Sequence, residues 1–299
     1  MTKISQKTSL ITDITDNPLD MLLEKNPACF IVISDIHEGE IINLIPGVYS
    51  LGRESLNSIQ LYSQGISRKH LKITVTEDTV SIVDLGSSNG TYVNKVKIKE
   101  EYTLSKGDVV TIGHSSLKFL PKNDGERLNY EHFFRETYLD KLTLLYNKNF
   151  FLKKFPLKCL LSQEKSTDLC LAILDLDFFK SVNDTHGHLV GDKVLKHFAT
   201  CLKKYITQDI YRYGGEEVVI IFSKNLDDAS LEIYEVKNYL KNNPFVENSL
   251  KISYTFSGGI AILKKNQSSE DLLAKADRAL YIAKNNGRDQ IRQDTSSTG

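Results

Sequence analysis

Arg212-Tyr213-Gly214-Gly215-Glu216-Glu217, running on into Val218-Val219-Ile220-Ile221-Phe222, decides how the C-terminal half of this chain folds. It reads as a strand, a two-glycine turn and a second strand that opens on two adjacent carboxylates. Two glycines let the turn take φ > 0 and leave no side chain where a ligand lies against the backbone. The apolar run predicts a buried strand. Paired acids at its head are a poor choice for stability alone, because crowded carboxylates repel unless a cation compensates them. By itself the stretch is only suggestive, since Gly-Gly hairpins are common and a solvated Glu pair is the plain alternative.

A second acidic strand adds weight. Leu171-Ala172-Ile173-Leu174-Asp175-Leu176-Asp177-Phe178-Phe179-Lys180 is an apolar run that ends in alternating carboxylates. Asp175 and Asp177 are expected to point to opposite faces, one reaching a metal while the other is held structurally. Two strands far apart in sequence then bring carboxylate oxygen to one point, as Mg²⁺ with nucleotide phosphates requires.

Together these stretches resemble the GGDEF family of diguanylate cyclases, here with the variant Gly-Gly-Glu-Glu-Val. The resemblance runs from about Asp140 to Asp289. Asp140-Lys141-Leu142-Thr143-Leu144-Leu145-Tyr146-Asn147-Lys148 is similar to the opening motif, and Thr255-Phe256-Ser257-Gly258-Gly259 to a late strand. Ala276 to Arg288 matches the closing helix and turn. Five ordered motifs are a strong signal. The family's chemistry joins two GTP molecules into cyclic di-GMP and releases two pyrophosphates. The resemblance implies that Asp175, the Leu176 carbonyl, Glu216 and Glu217 hold Mg²⁺, two ions per site, with Mn²⁺ able to substitute. Glu216 stands where the family places a candidate general base, and the sequence leaves base and ligand open between the adjacent glutamates. Lys180 is placed to stabilise charge, Lys284 and Arg288 to meet phosphate, and Gly214 and Gly215 to admit the nucleotide. Asn183 and Asp192 match the guanine-binding pair; a carboxylate accepts from the N1–H and amine of guanine, which favours GTP over ATP. Helix capping is the plainer reading of both. One domain holds one GTP, so a homodimer is implied for catalysis.

Three features depart from the family. Val218 replaces the usual Phe, a packing adjustment. Leu144 stands where Gly is common, and Lys148 where Arg is, which predicts a weaker supporting salt bridge. Tyr205-Ile206-Thr207-Gln208 occupies the place of an Arg-x-x-Asp product-inhibition site and offers neither guanidinium nor carboxylate. No feedback binding of product is expected there.

Upstream the pattern changes. From Cys29 to Leu120 short apolar stretches alternate with turn residues: Phe30–Ile33, Gly47–Leu51, Leu71–Val75, Val80–Leu85, Thr91–Val93 and Val109–Ile112. Short strands without long helices predict a β-sandwich. Leu51-Gly52-Arg53, Ser67-Arg68-Lys69-His70 and Ser87-Ser88-Asn89-Gly90-Thr91 resemble the signature of the forkhead-associated (FHA) domain, which reads phosphothreonine. A phosphothreonine carries nearly two negative charges and three acceptor oxygens and calls for guanidinium and hydroxyl donors. The resemblance gives those contacts to Arg53, Ser67, Arg68 and Ser88. It gives the peptide main chain to Asn89, turn geometry to Gly52 and Gly90, and internal bracing to His70. Arg53 and Arg68 as ordinary solvated cations are the plain alternative.

The expected organisation is therefore a mobile tail (1–27), an all-β FHA sandwich (28–120), a linker helix (121–139) and an α/β cyclase domain with a central antiparallel sheet (140–299). Helices are expected near 147–161, 178–184, 190–206, 226–241 and 269–285, and strands near 168–175, 209–213, 217–222 and 252–263. Tyr130, Phe133, Phe134 and Thr137–Tyr138 are expected on one face of the linker helix, for pairing and signal transfer. The tail carries Thr8, Thr12 and Thr15 as possible phosphosites, so the FHA ligand is its own tail, that of a dimer partner, or another protein. The 299 residues carry 38 basic and 38 acidic side chains, and no field of one sign draws nucleic acid or an acidic membrane. No stretch is apolar enough to span a bilayer, and the polar N-terminus lacks a signal-peptide core. Four scattered cysteines (Cys29, Cys159, Cys170, Cys201) read as buried hydrophobes in a reducing cytoplasm.

Overall fold

The structure, a computed structural model, describes residues 26–294. Tertiary contacts divide the chain into two units, with the division between Phe134 and Arg135.

The first unit is built from short strands: β1 (Ala28–Val32), β2 (Ile41–Leu44), β3 (Gly47–Gly52), β4 (Ile59–Gln60), β5 (Leu71–Val75), β6 (Val80–Asp84), β7 (Thr91–Val93), β8 (Val96–Lys97), β9 (Tyr102–Thr103), β10 (Val109–Ile112) and β11 (Ser115–Leu120). They form two sheets, ordered β2-β1-β11-β10-β7-β8 and β4-β3-β5-β6-β9. Alternation decides which side chains enter the core. In β5, Leu71, Ile73 and Val75 are buried while Lys72 faces out. Leu51, Ile82, Val110, Ile112 and Leu117 are among the residues that join them in the apolar interior.

Helix α1 (Glu126–Tyr138) follows. Its aromatic residues do not share one face. Tyr130 packs on the apolar patch of Cys29, Ile31, Ile41 and Leu120, and buried Phe134 sits one helical turn on, against Gly39. Phe133, a third of a turn away, is 60% exposed. The reason is helical spacing: residues four apart align, and neighbours do not.

The second unit comprises β12 (Tyr146–Asn147), α2 (Lys148–Lys165), β13 (Cys170–Leu176), α3 (Phe179–His186), α4 (His188–Tyr205), β14 (Asp209–Gly214), β15 (Glu217–Phe222), α5 (Leu226–Asn242), β16 (Phe245–Glu247), β17 (Leu250–Ile252), β18 (Phe256–Ile262), α6 (Ser269–Asn285) and β19 (Ile291–Asp294). One sheet runs β12-β14-β15-β13-β18-β19. Its centre is antiparallel, and the two outer strands are parallel to their neighbours. The apolar run Cys170–Leu174 suits β13, which is buried along its whole length and carries one carboxylate, Asp175, near its end. Asn147, Asn225 and Ser268 cap α2, α5 and α6 through their side-chain oxygens. Gly259 lets α6 lie directly on β18, since a Cβ there would come within 2.1 Å of the Ala276 carbonyl. All four cysteines are free and buried. Among the described residues no helix is long and apolar enough to cross a membrane.

Candidate functional site

In the second unit the two acidic strands lie side by side, and Asp175 faces Glu217 directly in register. The Lys284 ammonium, from the last turn of α6, bonds Asp175 Oδ2 at 2.9 Å. Burial pushes the Asp175 carboxyl up. Lys284 pulls it down, but Glu216 and Asp177 add to the rise. Glu217 is pushed up by burial first and then by Asp175, again against Lys284. These are crowded acids under one partial counter-charge. Among the described residues no three His, Cys, Asp or Glu side chains gather tightly enough to hold a metal ion by themselves. The donor chemistry nevertheless fits a hard divalent cation, because Asp175 and Glu217 are direct cross-strand neighbours at the end of β13, where the Leu176 carbonyl is a further oxygen donor.

Asp177 plays a different part, though not because it faces the other way. Residues two apart in a strand share a face. What separates the carboxylates is that β13 stops at Leu176 and Phe178 turns left-handed, with φ 56°. Asp177 is buried and accepts from Ser257 Oγ at 2.6 Å, Thr255 Oγ1 at 2.7 Å and the Asp289 amide at 3.0 Å. It fastens the β18 strand and the turn after α6 to the end of β13.

The two-glycine turn is asymmetric. Gly215 has φ 45°, whereas Gly214 stays outside the left-handed region, and the ladder shifts register between Arg212 and Gly214. Arg212 holds the turn: its Nε donates to Gly215 O at 2.9 Å and its Nη1 reaches both Asp140 oxygens at 3.0 and 3.1 Å. Asp140 also accepts from the Thr143 amide and hydroxyl. Burial pushes its carboxyl up, and the Thr143 and Arg212 bonds together outweigh that and hold it below its ordinary value. Sequence reading gave Arg212 no role of its own, since its partner is 72 positions away. Lys148 lies over the Tyr213 ring at 4.2 Å. The supporting salt bridge is thus Arg212–Asp140, and Lys148 supports the turn through an aromatic face.

Asn183 on α3 and Asp192 on α4 come from two packed helices joined at Gly187, φ 83°. Gly191 permits their approach, because a Cβ would lie 1.9 Å from Asn183 Oδ1. Lys180 is exposed in the first turn of α3. Arg288, φ 61°, places its guanidinium 4.5 Å from the centre of the Phe178 ring.

In the first unit Arg53, Ser67, Arg68 and Ser88 line one cleft of about 580 Å³, together with Glu54, Lys69 and Gly86. Ser67 Oγ accepts the Ser88 amide at 3.0 Å, which joins two of the loops. Asn89 stands on the same loop, and its Nδ2 donates to Gly65 O at 2.8 Å. Fully buried His70 accepts the Ser67 amide at Nδ1, 3.0 Å, so its proton is on Nε2, which points to Gly90 O at 3.3 Å. Burial pushes His70 down and keeps it neutral. Asp84 gathers the Gly86 and Ser87 amides and the Ser87 and Thr91 hydroxyls. Gly90 has φ 80°, as a turn requires, but Gly52 serves close approach: a Cβ would meet Arg68 O at 2.2 Å. Thr8, Thr12 and Thr15 lie outside the described residues.

Comparison with known proteins divides the chain the same way. Residues 137–290, just over half of it, match the family model described as diguanylate cyclase, GGDEF domain. Residues 49–113 match the FHA domain. The diguanylate cyclase DgcP of Pseudomonas aeruginosa is 41% identical over 127 residues, covering 42% of this chain and 19% of that protein. Diguanylate cyclase A of Treponema denticola is 32% identical over 134 residues, 44% of this chain and 36% of that one. The chain thus spans less than half the length of these relatives. Among solved structures, the GGDEF domain of DgcB from Caulobacter crescentus in complex with c-di-GMP aligns with TM-score 0.52 and 31% identity, over 54% of this chain and 98% of that one. SiaD of Pseudomonas aeruginosa, in complex with its activator SiaC, aligns with TM-score 0.52 and 30% identity, over 56% and 65%. With sheet order, acidic pair and helical turn all in place, the chain belongs to the GGDEF diguanylate cyclase family and joins that domain to an FHA domain.

Proposed function

We propose that the protein is a diguanylate cyclase, condensing two GTP into cyclic di-GMP and two pyrophosphates, and that phosphothreonine at its FHA cleft regulates it. The observation that carries the catalytic reading is Asp175 opposed to Glu217 beside the Lys284 ammonium. Carboxylates held above their ordinary range by burial and by one another are poised for a cation or a proton.

Asp175, Glu216, Glu217 and the Leu176 carbonyl would hold Mg²⁺ or Mn²⁺, and such an ion, when bound, neutralises triphosphate charge. The remaining work falls to this chain's own groups. Asn183 and Asp192 bind guanine, the carboxylate accepting from its N1–H and amine. Lys180, Lys284 and Arg288 surround the triphosphate with donors, and the bare backbone at Gly214 and Gly215 admits it closely. Glu216 or Glu217 accepts the proton of a 3′-hydroxyl. The freed oxygen bonds to the α-phosphorus of the other GTP, and pyrophosphate leaves with the electron pair of the broken P–O bond. Both bonds require two domains facing each other, hence a dimer.

Purified protein incubated with GTP and Mg²⁺ should yield cyclic di-GMP. GTP binding without product, under conditions where the protein dimerises, would reduce the domain to a nucleotide-binding scaffold. For the first unit, Arg53, Arg68, Ser67 and Ser88 meet the phosphate and Asn89 the peptide backbone. Cyclase rates with and without a bound phosphopeptide test the regulatory step. Phosphorylated Thr8, Thr12 and Thr15 peptides, titrated against their unmodified forms, test the chain's own tail as the ligand.

A further inference from the structure

The end of β13 and the turn after α6 are joined by two contacts between neighbouring residues. Asp177 accepts the Asp289 amide at 3.0 Å. Phe178 presents its ring to Arg288, with 4.5 Å between the guanidinium carbon and the ring centre. Phe178, Arg288 and Asp289 all have positive φ, at 56°, 61° and 47°. Three non-glycine residues in that region are costly and persist only where their surroundings over-determine them. Here the surroundings do: Ser257 and Thr255 bind Asp177, Lys237 pairs with Asp289, and the Arg288 amide donates to Ala283 O.

Phe178 is also 65% exposed, so the ring and the guanidinium lying on it are open to a ligand from solvent. Among the described residues Arg288 has no carboxylate partner. A guanidinium lying against a ring keeps its N–H groups free to donate elsewhere, which a salt bridge would not allow.

We infer that Phe178 is a positioning residue: its ring is a shelf that holds the Arg288 guanidinium ready for the nucleotide's triphosphate, with the Asp177–Asp289 bond fixing the shelf's height. This rests on the reading of Arg288 as a triphosphate cation. The test uses the full chain with Mg²⁺ and the unreactive α,β-methylene analogue of GTP, its affinity measured by calorimetry. Phe178→Leu should weaken binding about two- to five-fold, the range of an exposed cation–π contact. Its thermal midpoint should not change. Phe178→Tyr should keep wild-type affinity, and Phe178→Leu in an Arg288→Ala background should add no further loss. If Phe178→Leu does not fold, Phe178→Met is read the same way. Arg288→Ala binding as tightly as wild type overturns the reading of Arg288. A weak Arg288→Ala beside an unaffected Phe178→Leu, or an equal loss in both backgrounds, overturns the shelf and leaves Arg288 in place.

Discussion

Leu144 carries φ 54° where the family commonly has glycine, and its side chain is 44% exposed. Its amide donates to Asp140 O and its carbonyl accepts from Lys203, bonds that a glycine would keep, while a left-handed leucine costs about 1 kcal/mol or more. Leu144→Gly should therefore raise the unfolding midpoint by about 2–4 °C in a thermal melt. A lower midpoint would mean that the glycine's added freedom in the unfolded chain wins. Glu217 gives a pH test. It and Asp175 are held above their ordinary values, so the folded chain keeps these protons to higher pH than the unfolded chain does. Their ionisation thus costs stability: the cost is absent below about pH 4, grows through the carboxylate range and is complete above the raised values. Glu217→Gln should melt higher than wild type at pH 7.5, with the gap closing near pH 4, while cyclase activity falls about 100-fold or more. Mg²⁺ should raise the wild-type midpoint more than that of the variant. At this scale the sequence displayed the acids and cations, because each is part of a local motif. It concealed Arg212 and the Phe178–Arg288 contact, whose partners are distant; that one carboxylate of the Asp175/Asp177 pair is held structurally was legible, but its partners Ser257, Thr255 and the Asp289 amide were not.

The α3–α4 and β18–α6 contacts each depend on one missing side chain, with different expected results. Gly191→Ala presses on the end of the Asn183 side chain, which can turn away. Its KM for GTP should rise about ten-fold with the fold intact, the loss of a buried hydrogen bond to the base. Gly259→Ala meets backbone at 2.1 and 2.2 Å, which cannot yield locally. It should lower stability by about 2–3 kcal/mol in urea unfolding. If both variants behave alike, the distinction between a movable and an immovable neighbour is wrong. The long elements were legible because their periods are strong: α6 covers Ser269–Asn285 and β15 Glu217–Phe222, where expected. The stretch expected as one strand over 252–263 divides instead, with β17 ending at Ile252 and β18 starting at Phe256. Strands β16 and β17 have three residues each around left-handed Asn248, too few to show alternation. Strands β12 and β19 are short parallel edges, legible only through the strands they pair with.

At the scale of the whole molecule, output depends on product, ligand and connection. Tyr205 closes α4 with its ring 5.2 Å from that of Tyr239, whose face carries the Lys204 ammonium at 4.1 Å, and Ile206 is buried. No guanidinium–carboxylate pair is presented to a guanine there. Added cyclic di-GMP should leave the initial rate unchanged, and saturable inhibition lost on mutating 205–208 would overturn that expectation. Helix α1 contains the boundary between the units, and its first half seals the sandwich: Tyr130 covers Cys29, Ile31, Ile41 and Leu120. Dissecting the protein by its domain signatures therefore cuts in the wrong place. A fragment stopped at Leu120 would bare an oily face and precipitate, whereas one extended through Phe134 should stay monodisperse, and protease trimming of the intact chain should spare that segment.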